Sequence, residues 1–159
     1  MSVSVETTVV PPGDDQYVEA AWDLKERIRR EKGVLKQRRH FFFNAYRQAN
    51  TRLIRTVDAD SVVGFSCARE GGYLLFLAVH PDYQGQGFGR ELVGALAEEH
   101  NHITCHARVT NEEALAFYED LGFEIVRRID GYYEDHGDAY YLQLGDVEGL
   151  TDRLFRLFQ

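Results

Sequence analysis

The first fifty residues carry the pattern of one strand followed by two helices. Val3 to Val10 is rich in β-branched residues and ends at a Pro-Pro-Gly turn, which is typical of a strand. The helical pattern that follows starts at Asp14-Asp15, whose side chains can cap it, and runs to about Lys32. Gly33 ends this helix, and a second one is predicted over about Val34 to Ala49.

Three strands are predicted next, over Thr51 to Val57, Ser61 to Ala68 and Tyr73 to Val79. The short polar or glycine turns between them favour an antiparallel meander. The third strand is almost entirely apolar, which predicts that both of its faces are buried.

The second half of the chain alternates helices with strands. Leu92 and Leu96 repeat at helical spacing in a helix that ends at about His100. Asn111 can cap a further helix that Gly122 ends, because its side-chain oxygen can accept a hydrogen bond from the first turn. Three more strands are predicted, over Ile103 to Val109, Phe123 to Ile129 and Ala139 to Leu144.

The predicted order, β-α-α-β-β-β-α-β-α-β-β, indicates an α/β (α+β) fold in which helices flank a mixed sheet. We expect a single domain of ordinary size over residues 1–145. Residues 146–159 place apolar side chains on one helical face, so we expect a helical tail docked on this domain. A dimer contact through the tail is the alternative, and the chain is expected to be a monomer or a homodimer.

Charge and composition exclude several classes of protein. The net charge is −8, and residues 61–159 hold 17 acidic but only 7 basic side chains, which argues against a nucleic-acid-binding protein. The longest apolar run, Tyr73 to Val79, is far shorter than the about 20 residues of a membrane-spanning helix. The first residues lack the basic and apolar regions of a signal peptide, so we expect a cytoplasmic protein without a membrane partner.

Neither the cysteines nor the histidines have the spacing of a metal site. Cys67 and Cys105 form no C-x-x-C pair and are expected to be buried free thiols. His102 and His106 would share one face of a strand, but at about 3.3 Å per residue they stand about 13 Å apart. No acid or cysteine completes a ligand set, so no metal is expected.

A glycine-rich loop follows the apolar strand and opens a helix. Gly85, Gly87 and Gly89 let the chain turn tightly and let backbone N–H groups approach a ligand. N–H groups at the start of a helix form an anion site. The spacing is G-x-G-x-G without a following G-K-[ST], so the loop of nucleotide triphosphatases is excluded.

Two separated motifs resemble those of the Gcn5-related N-acetyltransferases. Gln84-x-x-Gly87-x-Gly89, directly after Leu77-Ala78-Val79-x-Pro81, is similar to motif A of that family. Asn111, Tyr118 and Leu121-Gly122-Phe123 are similar to its motif B. The resemblance covers roughly residues 50–145 and implies a mixed, mostly antiparallel sheet of six to seven strands with four or five helices.

The resemblance also implies acetyl-CoA as co-substrate. The backbone from Leu77 to Val79 would pair with the pantetheine arm, and the Val79 N–H would stabilise the oxyanion of the thioester carbonyl. Asn111 would contact the pantetheine, and Tyr118 would protonate the leaving thiolate. The family pattern thus places the coenzyme against Leu77, Ala78, Val79, Gln84, Gly85, Gln86, Gly87, Phe88, Gly89, Arg90, Asn111 and Tyr118.

Within the family, the chain most resembles the protein N-terminal acetyltransferases, including the ribosomal-protein-alanine type. The supporting segment is residues 131–139, where Tyr132 and Tyr133 would help hold a peptide N-terminus. An α-amine, with a pKa of about 7.7–8.0, is roughly a tenth neutral at pH 7, so it loses its proton far more readily than lysine. The acidic side chains of this segment would attract an ammonium group, or they form a solvated turn.

One position departs from the bacterial alanine-specific enzymes, which carry a glutamate where this chain has His106. A histidine there resembles eukaryotic N-terminal acetyltransferases, in which it works with a tyrosine that matches Tyr73. This implies that His106 and Tyr73 deprotonate the amine through an ordered water, since histidine titrates near neutral pH. The alternative is that His106 is a strand residue with a satisfied ring and that Tyr73 closes a hairpin.

Other acceptors and functions stay open at this stage. A small amine such as a polyamine, an aminoglycoside or an amino acid also suits an acidic segment. A non-catalytic acyl-CoA-binding module is the alternative outside the enzymes. Residues 25–39 hold eight basic side chains, which form a solvated face or meet a ribosome or an acidic substrate.

Overall fold

The computed structural model describes residues 3–145. Within that range it has seven strands and four α-helices in the predicted order, which confirms the expected fold class. A short 3-10 turn, Pro81–Tyr83, precedes the third helix. The elements are β1 (Val5–Val10), α1 (Val18–Lys32), α2 (Arg39–Gln48), β2 (Asn50–Thr56), β3 (Val62–Ala68), β4 (Tyr73–Val79), α3 (Phe88–Glu99), β5 (Ile103–Arg108), α4 (Glu112–Asp120), β6 (Glu124–Ile129) and β7 (Ala139–Leu144).

The described chain forms two compact units, of which the first holds residues up to Glu70 and Leu74–Val93. Its strands β1, β2, β3 and β4 pair antiparallel in sequence order, as the short turns predict. Every residue of β3 is buried, whereas β4 alternates between buried and half-buried positions. The expectation that β4 is buried on both faces is therefore wrong: its apolar side chains at Leu75, Leu77 and Val79 lie on a partly open face.

Helices α1 and α2 begin later than the sequence pattern predicts. The residue before α1 is Tyr17, which makes no side-chain cap, while Asp14 accepts a hydrogen bond from the backbone N–H of Gln16 at 3.0 Å. The predicted aspartate cap is therefore wrong, because a local turn uses the carboxylate instead. Helix α2 begins at Arg39 rather than Val34, since Leu35 has a positive φ of 55° that interrupts helical geometry.

The second unit comprises Gly71–Tyr73 and the described chain from Gly94 to Gly145. Its strands pair antiparallel in the spatial order β5-β7-β6. A buried row from β5 and β7, which includes Ile103, Cys105, Leu142 and Leu144, forms its apolar centre. At the amino end of β5, the backbone N–H of Thr104 donates to the carbonyl of Gly72 at 3.1 Å.

Three further expectations concern the tail, the cysteines and the membrane. The predicted helical tail, residues 146–159, lies outside the described residues. Cys67 and Cys105 are both buried and free, which confirms that expectation. Across residues 3–145, none of the helices combines the length and the apolar character that a membrane crossing requires.

Gly64 lets β3 and β4 approach closely, which can be tested by a single methyl group. A Cβ at Gly64 would lie 2.8 Å from the carbonyl oxygen of Ala78, a backbone atom that cannot move alone. We expect Gly64→Ala to lower the free energy of unfolding by about 1–3 kcal/mol, measured by urea denaturation. Gly71→Ala is the matched control, because a Cβ there meets no atom within 4 Å. Equal stability of the two variants would contradict this account.

Asn111 caps α4 as the sequence predicts, with its Oδ1 accepting from the backbone N–H of Ala114 at 3.1 Å. Asn111→Ala leaves that N–H without its acceptor, so we expect a loss of about 1 kcal/mol in unfolding free energy. Asn111→Asp keeps an oxygen in the same place and should stay within a few tenths of a kcal/mol of the parent. A thermal or urea melt that ranks the two variants the other way would refute the capping role.

Candidate functional site

The glycine loop of the first unit has the backbone geometry of an anion site. Gly85 and Gly87 have φ values of 80° and 87°, while the residues after each of them do not have positive φ. Such alternation turns successive N–H groups towards one side and forms a concave nest. A Cβ at either glycine would meet open space, so these positions need glycine for its φ and not for room.

The loop joins the carboxyl end of β4 to the start of α3. Residues 84–87 are exposed, whereas Phe88 is buried against Ile54, Val63 and Leu92 and anchors the helix. The first N–H groups of α3 have no acceptor within the helix, and they add to the donors of the nest. All the predicted coenzyme contacts of this unit therefore lie on one continuous backbone segment: Leu77, Ala78, Val79, Gln84, Gly85, Gln86, Gly87, Phe88, Gly89 and Arg90.

A turn at His80 links this segment to α1, which the sequence pattern did not reveal. The Nδ1 of His80 accepts from the backbone N–H of Asp82 at 3.1 Å, and its Nε2 lies 3.0 Å from Nη1 of Arg27. Burial, together with the charge of Arg27, lowers the pKa of His80. The ring is therefore neutral at pH 7 and holds the turn before the glycine loop in place.

Tyr118 lies in the second unit on the buried face of α4. Its side chain is 8% exposed, packs edge-on against Phe123 and hydrogen-bonds with Cys105. Burial raises the pKa of the Tyr118 phenol well above its ordinary value. The phenol therefore keeps its proton at physiological pH, as a proton donor must. Asn111, at the start of the same helix, uses its Oδ1 for the cap and leaves its amide NH₂ outside that bond.

The structure brings together the two residues predicted as the base. The hydroxyl of Tyr73 lies 2.5 Å from Nδ1 of His106 and shares a hydrogen bond with it. Burial is the main cause that raises the pKa of Tyr73, and a hydrogen bond with Tyr132 adds to it. The Tyr73 phenol is therefore neutral, and the tautomer of the imidazole sets the direction of its bond with Nδ1 of His106.

Tyrosines enclose the His106 ring. Tyr132 stacks on it with ring centroids 4.2 Å apart and planes 11° apart, although Tyr132 is itself 43% exposed. Tyr141 contacts the ring from β7 at 4.9 Å. Burial lowers the pKa of His106, and the positive charge of Arg127 lowers it further. The imidazole is thus neutral at pH 7 and able to accept a proton. Sequence reasoning missed Tyr141 and Arg127, since only strand register places them here.

The acidic side chains of residues 130–138 are mostly paired with arginines. Arg128 bonds Asp130 at 3.1 Å and Asp138 at 2.6 Å. Arg108 bonds Asp135 at 3.0 Å and stacks over Tyr133, with its guanidinium carbon 4.0 Å from the ring centroid. These carboxylates therefore stabilise the turn, which supports the alternative of a structural acidic turn over ammonium capture.

Part of the basic stretch over residues 25–39 is also paired internally. Arg29 bonds Glu26 at 2.6 Å, and Arg27 bonds Glu31 at 3.1 Å. Lys25 is fully buried against the ring of Trp22, and burial lowers its pKa. Among the residues placed by the structure, no group of three or more His, Cys, Asp or Glu side chains could hold a metal ion.

Two relatives that are named N-alpha-acetyltransferases match part of the chain. N-alpha-acetyltransferase 30 of Saccharomyces cerevisiae is 37% identical over 78 residues, which cover 46% of this chain and 44% of the yeast protein. The N-alpha-acetyltransferase of Saccharolobus solfataricus is 34% identical over 77 residues, covering 45% of this chain and 46% of that protein. The chain thus spans less than half the length of these relatives.

Solved structures share the fold over most of the chain. Naa50 of Arabidopsis thaliana, in complex with the bisubstrate analogue CoA-Ac-MVNAL, has 25% identity and a TM-score of 0.65, covering 89% of this chain and 98% of that one. The profile of the acetyltransferase (GNAT) domain matches residues 26–125, which is more than half of the sequence. This confirms the resemblance of motifs A and B, and the chain belongs to the GNAT acetyltransferase family.

Proposed function

We propose that this protein moves an acetyl group from acetyl-CoA to a primary amine, the α-amine of a protein or peptide N-terminus. The observation that carries the proposal is the hydrogen-bonded pair of Tyr73 and His106 under the stacked ring of Tyr132. A neutral imidazole in this position is suited to remove a proton from an amine near pH 7. The N-alpha-acetyltransferase names of the relatives support the same acceptor class.

The first unit supplies the groups that would hold acetyl-CoA. The nest at Gly85 and Gly87 fits a pyrophosphate, because its N–H groups present partial positive charge without a side chain in the way. The backbone of Leu77 to Val79 would pair with the pantetheine arm, and the Val79 N–H would stabilise the oxyanion. The resemblance to the family further implies that Asn111 contacts the pantetheine through its amide NH₂.

The second unit supplies the groups that move protons. The amine nitrogen attacks the thioester carbonyl carbon, the new C–N bond forms, and the C–S bond breaks. Tyr73 passes its proton to Nδ1 of His106 as it receives one from the acceptor through a water. Tyr118 gives its proton to the departing thiolate, which is consistent with its raised pKa.

The charges near His106 and the tyrosines that enclose it favour an α-amine over a polycation as the acceptor. The carboxylates of Asp130, Asp135 and Asp138 are paired with arginines and offer little attraction to a polyamine. An α-amine, with a pKa of about 7.7–8.0, needs less help to lose its proton than a lysine side chain. Tyr132 and Tyr133 are proposed to hydrogen-bond the peptide backbone. A cytoplasmic location and a monomeric or homodimeric state accompany the proposal as predictions from the sequence.

The acceptor class is tested by thiol release from acetyl-CoA. We expect release with short peptides that carry a free α-amine, and none with the same peptides blocked at that amine. Spermidine and an aminoglycoside serve as the small-amine arms. Thiol release with these small amines alone would show that the acceptor is a small amine and not a peptide. Binding of the coenzyme without thiol release from any acceptor would indicate a non-catalytic module.

The role of His106 has a defined pH signature. Because its folded-state pKa lies below the ordinary 6.5, the wild-type base stays competent down to that pKa. For the wild type, with kcat/KM calculated on the sum of neutral and protonated peptide, we expect kcat/KM to remain high as the pH is lowered to below 6.5. In His106→Gln only acceptor that is already neutral reacts, so kcat/KM should fall about tenfold per pH unit below the amine pKa of about 7.7–8.0.

Two further variants define the pH experiment. Tyr73→Phe should reproduce the profile of His106→Gln, because the proton path to Nδ1 is then interrupted. His102→Gln on the amino-terminal side of β5 is the control and should keep the wild-type profile. Identical profiles for wild type and His106→Gln across pH 6–9 would rule out the base role.

A further inference from the structure

One row of side chains crosses three strands of the second unit. Strand register places His106 of β5 opposite Tyr141 of β7, and Tyr141 opposite Arg127 of β6. The guanidinium carbon of Arg127 lies 4.9 Å from the centroid of the Tyr141 ring, and the Tyr141 ring lies 4.9 Å from that of His106. Arg127 therefore ends a continuous row that starts at the proposed base.

A bulge in β6 puts an arginine in this row. Ile125 pairs with Leu142, and the next pair along is Arg127 with Tyr141, so Val126 is the extra residue. Without the bulge, Val126 would stand opposite Tyr141. A bulge aims a side chain to the other face of a strand, and here it brings a charge to the row while Val126 lies 49% exposed.

Arg127 differs from its neighbours in having no acidic partner within residues 3–145. Arg128 is held by Asp130 and Asp138, and Arg108 is held by Asp135. Arg127 is exposed, and its contact is with the face of Tyr141. Stacking on a ring fixes the direction of a guanidinium while its N–H edges stay able to bind a carboxylate in two-pronged geometry.

We propose that Arg127 is a specificity-determining residue that binds a carboxylate of the acceptor, so that peptides with Asp or Glu at the second or third position are preferred. The inference rests on the proposed function and names the acceptor class within it. Two strand spacings, about 10 Å, separate the backbones of Arg127 and His106. An extended peptide advances about 3.3–3.6 Å per residue. The side chains of its second and third residues therefore come within reach of the long Arg127 side chain.

The experiment compares peptides that differ in one atom type. Two pairs are used, with Asp or Asn at position two and with Asp or Asn at position three, and all else equal. We expect the wild type to prefer the Asp peptide of at least one pair by about three- to fivefold in kcat/KM, the scale of a partly exposed ion pair. The preference should shrink from low salt to about 0.3 M salt, because exposed charge pairs are screened.

Variants at Arg127 separate charge from structure. Arg127→Gln should bring the Asp-to-Asn ratio to about one, Arg127→Lys should keep part of it, and Arg127→Glu should favour a Lys peptide. Arg69→Gln, which removes an exposed arginine from the turn between β3 and β4, is the control and should keep the wild-type ratio. Activity on the Asn peptides reports whether each variant is folded and competent.

The outcomes distinguish the two proposals. Acetylation of every peptide with an Asp-to-Asn ratio of one in the wild type would overturn the role of Arg127 and leave the peptide acceptor in place. A ratio that survives Arg127→Gln would also overturn it. If no peptide is acetylated while acetyl-CoA is bound, the proposed function fails and this inference fails with it.

Discussion

The 2.5 Å hydrogen bond between the Tyr73 hydroxyl and Nδ1 of His106 is the contact on which the proposed chemistry depends. It joins residues 33 positions apart, so it exists only when β5 and the start of β4 are both in place. The Thr104–Gly72 backbone bond fixes that neighbourhood, and the Tyr132 stack keeps the imidazole in one orientation. A base of defined orientation is thereby assembled from partly buried side chains.

Burial sets the protonation states of the groups around this bond. It raises the pKa values of Tyr73 and Tyr118 and lowers that of His106, because a site poor in water disfavours every charged form. Two neutral phenols and one neutral imidazole result. A neutral base that accepts a proton and a neutral acid that donates one are the two forms that acyl transfer to an amine needs near pH 7.

Charge in the second unit is arranged in two ways. Asp130, Asp135 and Asp138 form ion pairs with Arg128 and Arg108. These pairs stabilise the turn after β6. Arg127 is left to stack on Tyr141 within the described chain. The net acidity that suggests a cation-binding surface therefore does not describe this site, where the positive charge of Arg127 lowers the pKa of the base.

Features that rest on neighbouring residues followed from the sequence alone: the span of β4, the Asn111 cap and the glycine loop. Motifs A and B followed from their resemblance to a known family. Their physics is local, since capping and positive φ involve residues within a turn. The tertiary structure decided what depends on distant pairing. It made β3 rather than β4 the fully buried strand and stacked Tyr132 on His106. Through a one-residue bulge, it also put Arg127 and not Val126 opposite Tyr141. Strand register sets these contacts, and a shift of one residue along a strand exchanges its two faces.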